Sequence, residues 1–143
     1  MFFLMETFKK SGADVYLREA YEKGVVLSGY SSGAMCWFQR GYDDCGPDHS
    51  FVFADCVGIL PGCHCPHYDN ENWHKFSIRV KEQNLSGTAC DNGAALIYDE
   101  GKWSTMQGND GGEVWFFDAK QNHKELCLTD PENLACFNRE MQQ

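Results

Sequence analysis

At 143 residues, 43% hydrophobic and 14% aromatic, the chain can bury a core and is not a disordered protein. Its formal net charge of −9, from 21 acidic against 12 basic residues, argues against a nucleic-acid or anionic-membrane partner, because phosphate binding needs a basic face. No apolar run approaches the roughly 20 residues of a membrane span, and Met1-Phe2-Phe3-Leu4-Met5, followed at once by Glu6, lacks the basic flank of a signal peptide.

In chain order, residues 3–10 and 14–23 read as two helices broken near Ser11-Gly12, with Asp14 as a cap and Gly24 as a stop. Val25–Gly29 reads as a buried strand and Ser32–Gln39 as a helix. Between them lies Gly29-x-Ser31-x-Gly33, the spacing of a nucleophile elbow, in which a strand turns sharply into a helix with the central side chain at the tip. Residues 41–50 read as a polar loop, and 51–60 as an extended apolar segment closed by Pro61-Gly62. A helix is expected over 70–83, because Trp73, Phe76 and Val80 share a face and Asp69 or Asn70 can cap it. From Gly87 the period shortens, and 88–90, 94–98, 103–106, 113–117 and 126–128 read as short strands between Gly, Asn and Asp turns. Asp130-Pro131 opens a final helix. The pattern describes one α/β domain over 1–143.

Eight cysteines would suggest disulfides in a secreted chain. Several lie in apolar runs, where a thiol behaves as a small hydrophobe, and with no signal peptide the expectation is a reduced, cytoplasmic protein.

Ser31 is the candidate nucleophile, and the Ser32 N–H at the start of the next helix is a candidate oxyanion donor. A serine hydroxyl needs a base. Of His49, His64, His67, His74 and His123, His67 is best placed, after an extended segment and at a helix entrance. Asp91, at a turn with Asn92-Gly93, is the candidate acid that orients it, with Asp69 as a rival. Cys63-x-Cys65-x-His67-x-Asp69 carries zinc-ligand types but lacks the second half of a specific zinc motif, so neither metal nor cofactor is expected.

Three ordered segments resemble the peptidase E family of serine peptidases, the α-aspartyl dipeptidases and their relatives. They are Gly29-Tyr30-Ser31-Ser32-Gly33-Ala34, then Leu60-Pro61-Gly62 running into Cys65-Pro66-His67-Tyr68-Asp69, then Asp91-Asn92-Gly93-Ala94-Ala95-Leu96. The resemblance covers roughly 3–117. It implies a three-layer αβα fold with a mostly parallel sheet, of the class I glutamine amidotransferase-like or flavodoxin-like kind, with a β-rich C-terminal part. It places Ser31 on the nucleophile and His67 on the base. Asp91 falls where the family usually has a glutamate, and Ser32 replaces an alanine. It implies a short peptide substrate, with Arg79 or Lys75 as the downstream cation that would read an N-terminal aspartate. The family also carries an N-terminal half ahead of the elbow, ending in a Gly-rich turn, which has no counterpart in these residues. The competing expectation is therefore a truncated, catalytically impaired homologue with a binding role. The unpaired strand edge that such a fold would leave, with Phe2, Phe3, Leu4, Phe8, Val15 and Leu17 near it, predicts a homodimer or larger assembly.

Overall fold

A computed structural model describes residues 1–120 and 124–142. The architecture is α/β with a mixed sheet, and the chain divides into two compact units, Met1–Pro66 and His67–Gln143.

In the first unit, α1 (Phe2–Ser11) and α2 (Ala13–Glu22) flank Gly12, whose φ of 73° ends one helix and admits the next. The break falls where Ser11-Gly12 placed it. After α2, residues 25–29 form no regular element and carry no ladder among the described residues, and Val25 and Val26 are 52% and 88% exposed. This corrects the expected buried strand: an apolar run becomes a strand only when a neighbour accepts its backbone hydrogen bonds.

The helix after the elbow is also shorter than expected. α3 covers only Ser32–Met35, and β1 (Phe38–Asp43) takes residues that read as a helix end and a polar loop. Tertiary pairing overrides local propensity here. β1 lies between β2 (Val52–Asp55), antiparallel, and β3 (Leu60–Cys65), parallel. α3 packs directly on β1, since a Cβ at Gly41 would stand 2.8 Å from the Met35 Cβ. The expected single extended segment 51–60 is in fact β2 and a return loop. That loop is held by Val57 N–H on Cys36 O and Leu60 N–H on Trp37 O, at 2.9 and 2.7 Å. The Arg18 guanidinium, on Val57 O at 2.6 Å, ties α2 to the same loop. Pro61-Gly62 does not end a strand but lies inside β3, at an irregularity in the β1–β3 register where the Gln39 side chain accepts the Gly62 N–H at 2.8 Å. Phe38, Tyr42, Ala54, Cys63 and Cys65 form the core of this unit, and His64 is buried with its ring stacked on Phe38.

In the second unit, β4 (Gly87–Cys90), β7 (Val114–Phe117) and β8 (Glu125–Cys127) pair antiparallel in that order. β5 (Ala94–Asp99) and β6 (Lys102–Gln107) form a separate hairpin through Glu100-Gly101, both at positive φ, as a tight two-residue turn requires. All five strands stand close to where the alternation placed them. The helix expected over 70–83 is broken into a 3-10 turn at Glu71–Trp73, α4 (Phe76–Arg79) and a 3-10 turn at Val80–Gln83. The backbone stays right-handed, but ψ of −13° to −31° at the junctions is the tighter 3-10 winding. Trp73, Phe76 and Val80 are nevertheless all buried, as the periodicity required. α5 (Pro131–Met141) is capped by the Asp130 carboxylate, which accepts the Glu132 and Asn133 N–H groups. Its Phe137 packs on Phe116, with ring centroids 4.4 Å apart, and Asn138 clamps both backbone groups of Trp103.

Candidate active site

The elbow belongs to the first unit. Ser31 has φ 51° and ψ −125°, a combination that costs an L-residue roughly 1–3 kcal/mol and persists only where its surroundings enforce it. The enforcement is visible in the flanking glycine. A Cβ at Gly29 would lie 2.1 Å from the Gly33 carbonyl oxygen, so only glycine lets the chain double back this tightly. Gly33 meets no such limit, with nothing within 4 Å of a built Cβ. The turn is closed by Gly33 N–H on Tyr30 O at 2.9 Å, and by the Ala34 and Met35 N–H groups on Ser31 O at 3.0 and 3.1 Å. Ser32 supplies the first amide of α3, directly after the strained residue. Beside the elbow lies an open, apolar hollow of about 510 Å³, lined by Leu4, Phe8, Tyr16, Leu17, Cys36 and Trp37 among others.

The candidate base belongs to the second unit. His67 has φ 55°, in the left-handed region that histidine enters more readily than bulky residues do. Its turn is closed by Asn70 N–H on His67 O at 2.9 Å, and docked to the end of β4 by Tyr68 N–H on Cys90 O at 3.0 Å. That docking brings 67–69 beside 91–93. His67 Nδ1 lies 2.8 Å from Asn92 Oδ1. Asn92 in turn donates its backbone N–H to Asp69 Oδ1 at 2.8 Å and its side-chain amide to Asp69 Oδ2 at 3.2 Å. The Trp73 ring packs on the imidazole in a T-shaped arrangement, centroids 5.4 Å apart.

Asp91 stands next door with a different set of partners. Its Oδ2 accepts the Glu113 N–H at 3.0 Å, while its own N–H donates to Glu113 O at 2.9 Å. The carboxylate thus clamps the start of β7 to the 91–93 turn, and the position expected for it, on His67 Nδ1, is held by Asn92. Burial pushes the Asp91 carboxyl above the ordinary carboxylate range, and the Asp69 and Glu113 charges add to this against the Glu113 N–H and His74. For Asp69, burial also acts upward but is outweighed by the two Asn92 hydrogen bonds, its own backbone N–H and the His67 charge, so its carboxyl lies below the usual range.

Sequence reasoning missed Asn92, since Asp-Asn-Gly reads as a turn. The available signal was the pairing of that turn with a P-H-x-D segment, whose aspartate can grip a neighbouring amide. Of the candidate specificity cations, Arg79 is half-buried and 3.6 Å from Glu82, and Lys75 is exposed at the start of α4. Cys63 and Cys65 are buried in β3. Among the described residues no three His, Cys, Asp or Glu side chains group closely enough to hold a metal ion. His64 is a core residue whose pKa burial lowers to about 3. His74 packs on Tyr68, His49 is exposed, and His123 lies outside the described residues.

The strained serine sits in a glycine-pinched turn of the first unit, and the tethered histidine belongs to the second. The model for Peptidase family S51 matches residues 1–106, and the chain belongs to that family, which bears out the peptidase E resemblance. An uncharacterized peptidase, YgaJ of Bacillus subtilis (strain 168), is 37% identical over 117 residues, covering 78% of this chain and 50% of that protein. The chain therefore spans about half the length of this curated relative. No solved structure matches. Among the described residues no helix is long and apolar enough to cross a membrane.

Proposed function

We propose that the protein is a serine peptidase of the peptidase E type that cleaves short peptides, Asp-X dipeptides among them, through an acyl-enzyme. Ser31 attacks the scissile carbonyl. His67 takes the hydroxyl proton and returns it to the leaving amine. The Ser32 N–H stabilises the oxyanion, and water then releases the acyl group. The observation that carries this reading is the backbone of Ser31, at φ 51° and ψ −125° between Gly29 and the first turn of α3. Strain at one serine, in a turn that tolerates only glycine at position 29, is what an elbow needs to hold a nucleophile clear of its own backbone. Family membership and the likeness to YgaJ support the peptidase class.

The finer features belong to the same proposal. The expected parent architecture is the three-layer αβα, class I glutamine amidotransferase-like arrangement, in the cytoplasm. Lys75 and Arg79 are the cations proposed to meet an acidic substrate end. Arg79 also faces Glu82, which makes it the weaker of the two. The exposed Phe2, Phe3, Val15 and Val26 support the proposed self-association.

The test is hydrolysis of Asp-X dipeptides and of p-nitrophenyl acetate by the purified chain, with Ser31→Ala as control. Turnover by the chain and its loss in the variant are expected. Absence of turnover by the unaltered chain would favour the impaired-homologue alternative.

A further inference from the structure

A histidine base works only if its outer nitrogen is told which tautomer to keep. At His67 that instruction comes from an amide. An amide has an accepting oxygen and a donating nitrogen, and by itself could present either to the imidazole. Asp69 removes the choice. Its ionised carboxylate can only accept, and it takes both the backbone N–H and the side-chain NH₂ of Asn92. With Asn92 Nδ2 committed to Asp69, Oδ1 must face the ring, and it does so at 2.8 Å. An acceptor at Nδ1 places the proton there and makes Nε2 the basic nitrogen.

The turn that holds Asn92 is itself tightly specified. Gly93 has φ 79°. A Cβ at Gly112 would stand 2.5 Å from Asn92 O and one at Gly93 2.8 Å from Gly111 O, so these two glycines let the following loop close directly over this backbone. The Asp91 clamp on Glu113 fixes the other side. Trp73 limits how far the ring can turn away.

We propose that Asn92, locked by Asp69, is the residue that positions His67, in the role expected for Asp91. This inference rests on the reading of His67 as the general base. Asn92 is a positioning residue: it accepts from Nδ1–H while Nε2 takes the Ser31 proton and passes it to the leaving group. Asp69 acts one step further out, by fixing the amide, and balances the transient imidazolium through it. A histidine–asparagine pair fills the same role in papain-like enzymes, so an acid at Nδ1 is not required.

The test uses the full chain carrying ¹⁵N-labelled histidine. Long-range ¹H–¹⁵N correlation reports the His67 tautomer whether or not the protein turns over any substrate. The neutral ring is expected as Nδ1–H in the unaltered protein, as a mixture of tautomers in Asn92→Ala, and as a partial mixture in the near-isosteric Asp69→Asn. Asp91→Asn should leave the ring signal as it was. In parallel, kcat for p-nitrophenyl acetate should fall by about 10²-fold in Asn92→Ala with KM nearly unchanged, the scale of general-base catalysis. A His67 signal that ignores Asn92→Ala and Asp69→Asn, or that is lost in Asp91→Asn, would overturn the proposal. If the unaltered chain hydrolyses nothing, the peptidase reading fails, while the spectra still decide the role of Asn92.

Discussion

Gly29 and Gly33 look equivalent in the sequence, yet only the first is forced to be glycine. An alanine at 29 puts a methyl into the Gly33 carbonyl, 2.1 Å away, and the elbow must open to relieve it. Gly29→Ala should destabilise the protein by about 1–3 kcal/mol and abolish hydrolysis, whereas Gly33→Ala, with open space and a helical position, should match or slightly raise stability. Urea melts of the two variants check this. Asp91 makes a second prediction at this scale. Its carboxyl is raised in the fold, chiefly by burial. As pH rises the unfolded chain loses this proton first, so ionised Asp91 subtracts stability. That cost sets in as pH passes the ordinary carboxylate value and is complete above the raised one. Asp91→Asn keeps an acceptor for the Glu113 N–H and removes the charge. Its stability relative to the unaltered protein should therefore grow as pH rises through the ordinary aspartate value, about 4, and level off above the raised one. A pH series of urea midpoints reads the difference directly, and a flat difference would mean that the carboxyl is not raised.

At the scale of elements, the C-terminal part was legible and the middle was not. Strands β4 to β8 and α5 follow from alternation, turn residues and the Asp130-Pro131 start, all of which are local signals. β1 could not be read that way. Phe38–Asp43 looks like a helix end running into a polar loop, and becomes a strand because β2 and β3 bond to both of its edges. The converse error is Val25–Gly29, apolar enough for a strand but without a ladder. The site shows the same division. Ser31 and His67 can be proposed from short motifs, which are local signals. The contact of Asn92 with His67 cannot, because it depends on Tyr68 docking to Cys90, a contact between segments far apart in sequence. The local signals can be tested at α5. Asp130→Ala removes the acceptor for the Glu132 and Asn133 N–H groups and should cost about 1 kcal/mol, while Asp130→Ser should restore most of it. Thermal denaturation of both variants checks the cap.

For the whole molecule, the first unit leaves large apolar side chains in water. Phe3 is 82% exposed, Val26 88% and Tyr30 88%. Residues 25–29 also offer backbone groups that no ladder engages among the described residues. A net charge of −9 opposes open-ended aggregation but is weak against a concentrated apolar contact. Light scattering at micromolar concentration should therefore give a mass of at least two chains, and Phe3→Ser with Val26→Ser should shift it toward one. A concentration-independent monomer would remove this reading without touching the chemistry of the elbow. The chemistry itself, Ser31 as an activated nucleophile, is tested most directly by a fluorophosphonate probe followed by peptide mass spectrometry of the labelled chain. The account predicts one modified residue, Ser31, with labelling abolished in Ser31→Ala and strongly slowed in His67→Ala. Labelling at a cysteine or another serine, or no labelling of a folded chain, would contradict it.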